Sequence, residues 1–224
     1  MALNPGRPAH TRPRLGYERE LSQERAMRTR ERILAGAAEA FANRSYAEVR
    51  MVQIAKLIKM TKGAIYFHFK NKEALALALA DAFEHRMAAN ADAVAALGLP
   101  PLDSLAEFLH RIAGDFRDDV LMKAGARLQT ERLPAPFVTF DAVVESLLDK
   151  ADAAGQLPAG ISAGVLSRVV VEAVFGAQHI SWVHSDRADI VERMDELVRV
   201  LLRTEPRPHG VPTEPEPPRQ TQPY

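Results

Sequence analysis

Apolar residues recur every three to four positions along most of this chain, which is the spacing of one buried face on an α-helix. The first such stretch predicts a long helix that begins at Ser22. Its buried face consists of Ile33, Leu34, Ala37, Ala38 and Phe41. Two short helices follow over 51–57 and 62–67, and the Thr61 hydroxyl is a candidate N-cap for the second. No stretch alternates between apolar and polar residues long enough to predict a strand, so we expect an all-α fold.

The remainder of the chain continues the helical pattern. Six further helices are predicted over 72–93, 102–116, 119–132, 137–154, 162–183 and 187–203, with turns rich in proline or glycine between several of them. Asn71 is a candidate cap for the first of these. Residues 1–21 and 205–224 carry many prolines and few apolar side chains, so we expect a disordered basic arm and a disordered tail. The arm either follows DNA phosphates or only aids solubility.

The charges of the chain are unevenly distributed, although the formal net charge is zero. Residues 1–72 contain 15 Lys or Arg and 6 Asp or Glu, whereas the other 152 residues contain 14 and 23. A segment of net charge +9 joined to a segment of −9 is typical of a module that meets a polyanion. A solvated basic face is the alternative, but the basic residues coincide with the two short helices, which favours DNA.

The composition excludes several kinds of chemistry. With no cysteine, the chain has no disulfide, thiolate metal site or cysteine nucleophile. His179 and His184 are five residues apart and fall on different helix faces, so they do not predict a metal site. We find no glycine-rich phosphate loop and no nucleophile elbow, and we expect neither enzyme activity nor a cofactor. The absence of an apolar run long enough to cross a membrane leads us to expect a cytoplasmic protein with no membrane partner.

The second short helix has features suited to DNA. Gly63 and Ala64 leave its N-terminal turn uncluttered, and Lys62 places a positive charge there. A short helix with a bare, cationic N-terminal turn is suited to entering a major groove. An ordinary helical hairpin within a protein core is the alternative.

Five motifs resemble those of known regulators. F-A-N-R-S-Y at 41–46, I-A at 54–55 and T-K-G-A-I-Y-F-H-F-K-N-K-E-A-L at 61–75 resemble the DNA-binding domain of TetR-family repressors. V-L-M-K-A-G-A-R-L-Q-T-E-R at 120–132 and F-G-A-Q-H at 175–179 resemble a narrower branch of that family. This branch comprises the γ-butyrolactone-type autoregulator receptors of actinomycetes, including methylenomycin-furan receptors.

The resemblance covers about residues 22–203 and implies a TetR-like architecture. A helix-turn-helix DNA-binding domain would occupy 22–70, and a ligand-binding and dimerisation domain would occupy 71–204. We expect Lys62 and Gly63 to meet base edges, whereas other polar side chains hold phosphates. Those phosphate contacts are assigned to Arg50, Tyr66, His68 and Lys72. The complete predicted DNA-binding set is Arg50, Met51, Thr61, Lys62, Gly63, Ala64, Tyr66, Phe67, His68 and Lys72.

The chain departs from the family pattern at several positions. Glycine is usual where this chain has Ser45 and Lys59, and Lys59 must adopt a left-handed backbone or reshape its turn. Val49-Arg50 replaces the usual threonine-rich start of the second helix, and Gln53 replaces an acid. Phe140 stands where many autoregulator receptors carry tryptophan, which keeps open a pseudo-receptor that does not respond to an autoinducer.

A small-molecule site is predicted around the helix over 119–132. Gln129 and Thr130 are neutral hydrogen-bonding residues near apolar side chains, and small residues leave volume between helices. Such a cavity suits a small, partly apolar, uncharged or monoanionic ligand. Tight helix packing explains the small residues equally well. The predicted ligand-binding set is Phe83, Met122, Ala126, Gln129, Thr130, Phe137, Phe140, Ala173 and Ala177.

The last two predicted helices carry apolar residues on more than one face, which is typical of a four-helix dimer interface across a two-fold axis. The predicted interface residues are Val171, Phe175, Trp182, Met194, Leu197 and Leu201. A fully buried core helix is the alternative.

The sequence as a whole predicts a homodimeric repressor that binds pseudo-palindromic double-stranded operator DNA and controls antibiotic or secondary-metabolite genes. A small butyrolactone- or furan-like signalling molecule would release it from DNA. A pseudo-receptor is the first alternative. A helical partner-binding or architectural protein is the alternative from another class.

Overall fold

The structure is a computed structural model that describes residues 14–131 and 138–203, with side chains from Glu20 onward. Within these ranges every regular element is helical, which confirms the all-α prediction. The helices are α1 (Arg14–Asn43), α2 (Met51–Leu57), α3 (Lys62–His68), α4 (Lys72–Ala95), α5 (Pro101–Asp118), α6 (Val120–Thr130), α7 (Val138–Ala153), α8 (Ala163–Ser185) and α9 (Ile190–Leu197), and α9 continues as a π-helical segment, Val198–Leu202.

Side-chain caps determine where several helices begin. The Thr61 hydroxyl accepts a hydrogen bond from the Ala64 amide at 3.2 Å, and Asn71 Oδ1 accepts one from the Ala74 amide at 2.7 Å. Both predicted caps are confirmed. At the start of α6, Asp119 Oδ1 accepts a hydrogen bond from the Leu121 amide at 2.8 Å. Each cap satisfies an amide that has no partner within its own helix.

The N-terminal end of the chain differs from the prediction where it is described. Helix α1 begins at Arg14 rather than Ser22, so the last part of the predicted 1–21 arm is helical. The rest of that arm and the 205–224 tail lie outside the described residues. Among the residues that are described, no helix is long and apolar enough to cross a membrane.

Of the residues that the structure describes, the first of two compact units comprises 14–89, 118–131 and 138–139. Its core is built from α1, α2, α3, α4 and α6, with Ile33, Phe41, Ile54, Ile65, Leu75 and Leu128 among the buried residues. Helix α6 packs along α1, and Arg127 Nη1 donates a hydrogen bond to the Ala42 carbonyl oxygen at 3.4 Å. The predicted division at residue 70 places α6 elsewhere, whereas here α6 packs with the helix-turn-helix.

Among the described residues, the second compact unit comprises 90–117 and 140–203. Its described core includes Phe108, Ile112, Val144, Leu148, Val174 and Met194. The turn between α8 and α9 is held by the Asp189 carboxylate, which accepts hydrogen bonds from Ser181, Ser185 and Arg193. The bond from Arg193, followed by those from the two serine hydroxyls, holds the pKa of Asp189 far below its usual range.

Candidate functional site

Helix α3 presents its N-terminal turn to the surface. Thr61, Lys62 and Gly63 are exposed, and an added Cβ at Gly63 would meet no atom within 4 Å. Ile65, only 1% exposed, anchors the opposite face of the helix in the core. The predicted uncluttered, cationic turn is therefore present, and the surface beside it is open.

The same helix also carries exposed aromatic side chains. Tyr66 is 41% exposed and Phe67 is 83% exposed, which is unusual for a phenylalanine outside a contact surface. His68 is half-buried and meets the Phe67 ring edge-on at 5.3 Å. These rings extend the exposed face of α3 along its whole length.

Lys59 positions α3 relative to α2. Its backbone has φ +55°, in the left-handed region. The Lys59 amide donates a hydrogen bond to the Lys56 carbonyl at 3.2 Å, and the Met60 amide donates one to the Ala55 carbonyl at 2.9 Å. This pair of bonds is a Schellman motif, which usually has glycine at the left-handed position. Two outcomes were predicted for Lys59, a left-handed backbone or a reshaped turn. The structure shows the left-handed backbone.

The start of α2 lacks the hydroxyl cap usual in the family. Arg50 occupies the cap position with its side chain exposed, and its amide donates a hydrogen bond to Gln53 Oε1 at 3.0 Å. The neutral Gln53 thus satisfies one backbone donor. The guanidinium of Arg50 lies on the surface, where it is accessible to a phosphate.

One of the predicted DNA contacts is wrong, and a second residue has a partner within the protein. The Met51 side chain is 6% exposed and packs in the core, so it does not reach a bound molecule. The Lys72 ammonium donates a hydrogen bond to the Tyr46 carbonyl oxygen at 2.6 Å and lies 4.1 Å from the centre of the Tyr46 ring. This contact holds one of the three N–H donors of the ammonium within the protein, and the phosphate contact of Lys72 stays a prediction. Ala64 is half-buried, whereas the remaining predicted residues are exposed or partly exposed.

Tyr46 connects three parts of the first unit, a role that the sequence did not indicate. Its ring stacks on Phe41 with centroids 5.9 Å apart, and its carbonyl binds Lys72. Its amide donates a hydrogen bond of 2.5 Å to Glu131 Oε2, directly after α6. Burial, with a smaller contribution from the Glu73 carboxylate, raises the pKa of the Tyr46 hydroxyl.

A narrow cleft lies between α4 and α6 within the first unit. It is lined by Ala76, Leu77, Ala80, Phe83, Glu84, Gly125, Leu128 and Gln129. The cleft has room for about one water molecule, because the Phe83 ring packs against Gly125. An added Cβ at Gly125 would lie 2.3 Å from a Phe83 ring carbon. Tight packing, the alternative considered from the sequence, therefore explains the glycine at this position.

Two side chains place unsatisfied acceptors at this cleft. Glu84 Oε2 accepts a hydrogen bond from the Thr139 amide at 3.0 Å. Glu84 Oε1 and Gln129 Oε1 are buried and have no hydrogen-bond partner among the described residues. The structure thus brings the predicted Phe83 and Gln129 together and adds Glu84. No pattern in the sequence indicated Glu84, since a glutamate on a helix usually faces solvent.

Other predicted ligand residues lie elsewhere. Thr130 is exposed, and its hydroxyl donates a hydrogen bond to the Arg127 carbonyl at 2.7 Å, so the predicted contact is wrong. Met122 and Ala126 are buried but do not line this cleft. Phe137 lies outside the described residues.

The remaining candidates belong to the second unit. Phe140 is 2% exposed and contacts Phe108 and Phe175, with ring centroids 6.0 and 6.1 Å away. Its ring is thus fully used in the core. Ala173 and Ala177 are half-buried positions of α8.

Helix α8 leaves an apolar stripe uncovered. The stripe consists of Val165, Val169, Ile180 and Val183, which are 45%, 40%, 45% and 63% exposed. Gly176 lies between them, and an added Cβ there would meet no atom within 4 Å. We name these five residues the α8 stripe. Val200, in the π-helical segment after α9, is 72% exposed.

The residues predicted to form the dimer interface differ in how far their side chains are buried. Met194 is fully buried within its own unit, so its assignment to a dimer interface is wrong. Val171, Phe175, Trp182, Leu197 and Leu201 are partly buried. Phe175 packs on Phe140, and Trp182 lies over the Arg187 guanidinium at 5.3 Å.

Comparison with known proteins agrees with these features. Residues 33–79 match the family described as bacterial regulatory proteins, tetR family. The A-factor receptor protein of Streptomyces griseus is 29% identical over 184 residues, which cover 80% of this chain and 64% of that protein. The match thus spans less than two thirds of that relative.

Solved structures extend the similarity to most of the chain. One concerns the molecular basis for control of antibiotic production by bacterial hormones, is 43% identical, and covers 78% of this chain and 95% of that chain with a TM-score of 0.72. CprB from Streptomyces coelicolor, solved in complex with its biological operator sequence, is 26% identical, covers 80% and 89% of the two chains, and has a TM-score of 0.71. The chain belongs to the TetR family. This follows from the helix-turn-helix, from the helices that come after it and from these similarities.

Proposed function

We propose that this protein is a ligand-responsive transcriptional repressor that binds pseudo-palindromic operator DNA as a homodimer. The observation that carries the proposal is the open N-terminal turn of α3, where exposed Lys62 and Gly63 precede the buried anchor Ile65. A helix so anchored has backbone and side chains available to base edges in a major groove. The operator complex of CprB supports the proposal by similarity.

The homodimer is supported by the α8 stripe. A row of partly exposed valine and isoleucine side chains along a helix of 23 residues is costly to leave in water. Pairing α8 and α9 with the same helices of a second copy would bury it in a four-helix arrangement. Two copies would place two recognition helices about one turn of DNA apart, which explains a pseudo-palindromic target.

Control of antibiotic or secondary-metabolite genes is proposed from the relatives, among them one concerned with control of antibiotic production. Release by a small signalling molecule is proposed from the A-factor receptor and from the cleft at Phe83 and Gln129. A repressor without an autoinducer response is the second candidate, and the narrowness of the cleft favours it.

The first test is operator binding by variants of α3. Genomic fragments retained by the full-length protein are sequenced to obtain the operator, and affinities are then measured by gel shift across a set of base substitutions. Lys62→Ala is expected to change the preference among these sequences, because base contacts specify. Tyr66→Phe is expected to weaken binding to all of them by a similar factor, because phosphate contacts position the protein.

Lys150→Ala provides a charge-matched control, since Lys150 is exposed on α7. This variant should leave affinity and preference unchanged. If Lys62→Ala behaves like the control, α3 is not the recognition helix.

A further inference from the structure

The α4–α6 cleft is apolar except at its two buried oxygen atoms. Ala76, Leu77, Ala80 and Leu128 supply apolar walls, whereas Glu84 Oε1 and Gln129 Oε1 lack partners among the described residues. Burial of an acceptor without a donor is unfavourable, and more so when the group is charged. Both oxygen atoms are therefore placed to accept hydrogen bonds from a molecule that enters the cleft.

Glu84 is the more restrictive of the two residues. A glutamine amide can rotate to present either its oxygen or its NH₂ group, whereas a carboxylate oxygen only accepts. The other carboxylate oxygen, Oε2, is fixed by the Thr139 amide at 3.0 Å, which limits rotation of the group. A carboxylate on an entering ligand would face like charge at this point.

We propose that Glu84 is a ligand-specificity residue and that the inducer presents a hydroxyl or N–H donor to Glu84 Oε1, with an apolar body lying along α4 and α6. The proposal rests on the proposed function, because it takes the α4–α6 cleft as the inducer site. Gln129 Oε1 accepts a second donor when the ligand has one. Ligands whose only polar group is a carboxylate are rejected.

Entry of the apolar body must displace the Phe83 ring. The ring lies where a Cβ at Gly125 would be, so α4 and α6 are in close contact at this point. A ligand that separates them acts on α4, whose first residue Lys72 holds the Tyr46 carbonyl, and on α6, which is followed by Glu131. The donor contact at Glu84 thus selects the ligand, and the apolar body supplies the displacement.

The test uses three probes with one 2-hexylfuran body and a hydroxymethyl, aminomethyl or carboxylate group at the 3-position. Binding to the full-length protein is measured by calorimetry, and release is measured with a fluorescently labelled operator. The unmodified protein is expected to bind the hydroxymethyl and aminomethyl probes at least tenfold more tightly than the carboxylate probe. Glu84→Gln should reduce this preference to less than threefold.

Glu145→Gln is the matched control, because Glu145 is exposed on α7 and the charge change is the same. It should retain the full preference. Thermal unfolding establishes that Glu84→Gln is folded, since glutamine can still accept the hydrogen bond from Thr139.

The proposal is overturned if the carboxylate probe binds the unmodified protein as tightly as the other two, if Glu84→Gln keeps the preference, or if no probe binds. A protein that holds its operator while binding no probe would retain the DNA-binding function without this site. A protein that binds the donor probes with the stated preference but holds no operator would sustain the cleft assignment, and the repressor function would fail instead.

Discussion

Lys59 shows how one residue can determine the geometry of a recognition motif. The turn between α2 and α3 needs a left-handed residue, and a side chain with a Cβ atom adopts that conformation at a cost of about 1 kcal/mol. The two Schellman hydrogen bonds from Lys59 and Met60 satisfy carbonyls at the end of α2 and offset this cost. The turn keeps its shape despite an unfavourable residue.

Replacing Lys59 by glycine should therefore stabilise the protein. We expect the free energy of unfolding to rise by about 1 kcal/mol, because glycine adopts positive φ without a steric penalty. Urea denaturation measures the change. Lys59→Ala is the control, since alanine removes the charge but keeps the Cβ atom, and it should give no such gain. Equal gains in both variants would assign the effect to the lysine charge instead of the backbone.

Contacts between residues close in sequence, such as helix caps, were predictable. The direction in which a side chain points was not. Thr61 and Asn71 cap helices as expected, because a cap involves only an oxygen and an amide three residues later. Lys72 lies in the same basic region, but its ammonium is bound by Tyr46, which is distant in sequence. Met51 likewise faces the core because of the packing of α2.

Among the elements, α6 contacts the DNA-binding part of the chain through α1 and the segment that follows α1. Glu131 follows its last turn and accepts a hydrogen bond from the Tyr46 amide, while Arg127 reaches the carbonyl of Ala42 and the Glu131 carboxylate. These contacts join a helix that lines the cleft to the segment between α1 and α2. We expect a displacement of α6 to be transmitted to the DNA-binding helices through these contacts.

Loss of the Glu131 contact should destabilise the first unit. Glu131→Ala leaves the part-buried Tyr46 amide without its acceptor, which is expected to cost about 1–3 kcal/mol. Urea denaturation is the measurement. Thr130→Ala is the neighbouring control and should change stability by less than about 0.5 kcal/mol, because Thr130 is exposed. Equal losses in the two variants would show that helix propensity, rather than the Tyr46 contact, is responsible.

Helix α8 shows that the spacing of apolar residues predicts where a helix lies better than it predicts which surfaces cover that helix. Apolar residues occupy both of its faces, so the sequence identified a long helix between turns. Its spacing did not distinguish the face covered by the same chain, with Val174 buried, from the face left open, with Val165 and Val169 exposed. The predicted interface set therefore includes partly buried residues and omits the α8 stripe. Burial by a neighbouring helix depends on tertiary packing and has no signature in one segment.

At the scale of the whole molecule, the α8 stripe is the surface through which we expect two copies of the chain to pair. Val169→Arg should yield a monomer, because an unpaired charge would be buried at the dimer contact at a cost of several kcal/mol. Operator affinity should then fall at least tenfold, since a single DNA-binding domain makes half the contacts. Light scattering coupled to size-exclusion chromatography measures the assembly.

Val138→Arg is the control for this change. Val138 is also exposed, at 60%, but it lies at the start of α7 and outside the α8 stripe. This variant should have the same molar mass as the unmodified protein. A Val169→Arg protein that shares that mass would place the contact between copies on another surface.

The internal hydrogen bond of Lys72 bears on how binding to a nucleic acid responds to ionic strength. Each phosphate neutralised by a protein cation releases condensed counterions, and this release adds about 0.9 to the slope of log affinity against log salt concentration. We expect an ammonium held by the Tyr46 carbonyl and ring to neutralise a phosphate less effectively than a fully exposed cation does. The positive charge of residues 1–72 therefore overstates the number of ions exchanged, and the exposed cations such as Arg50 and Lys62 determine it.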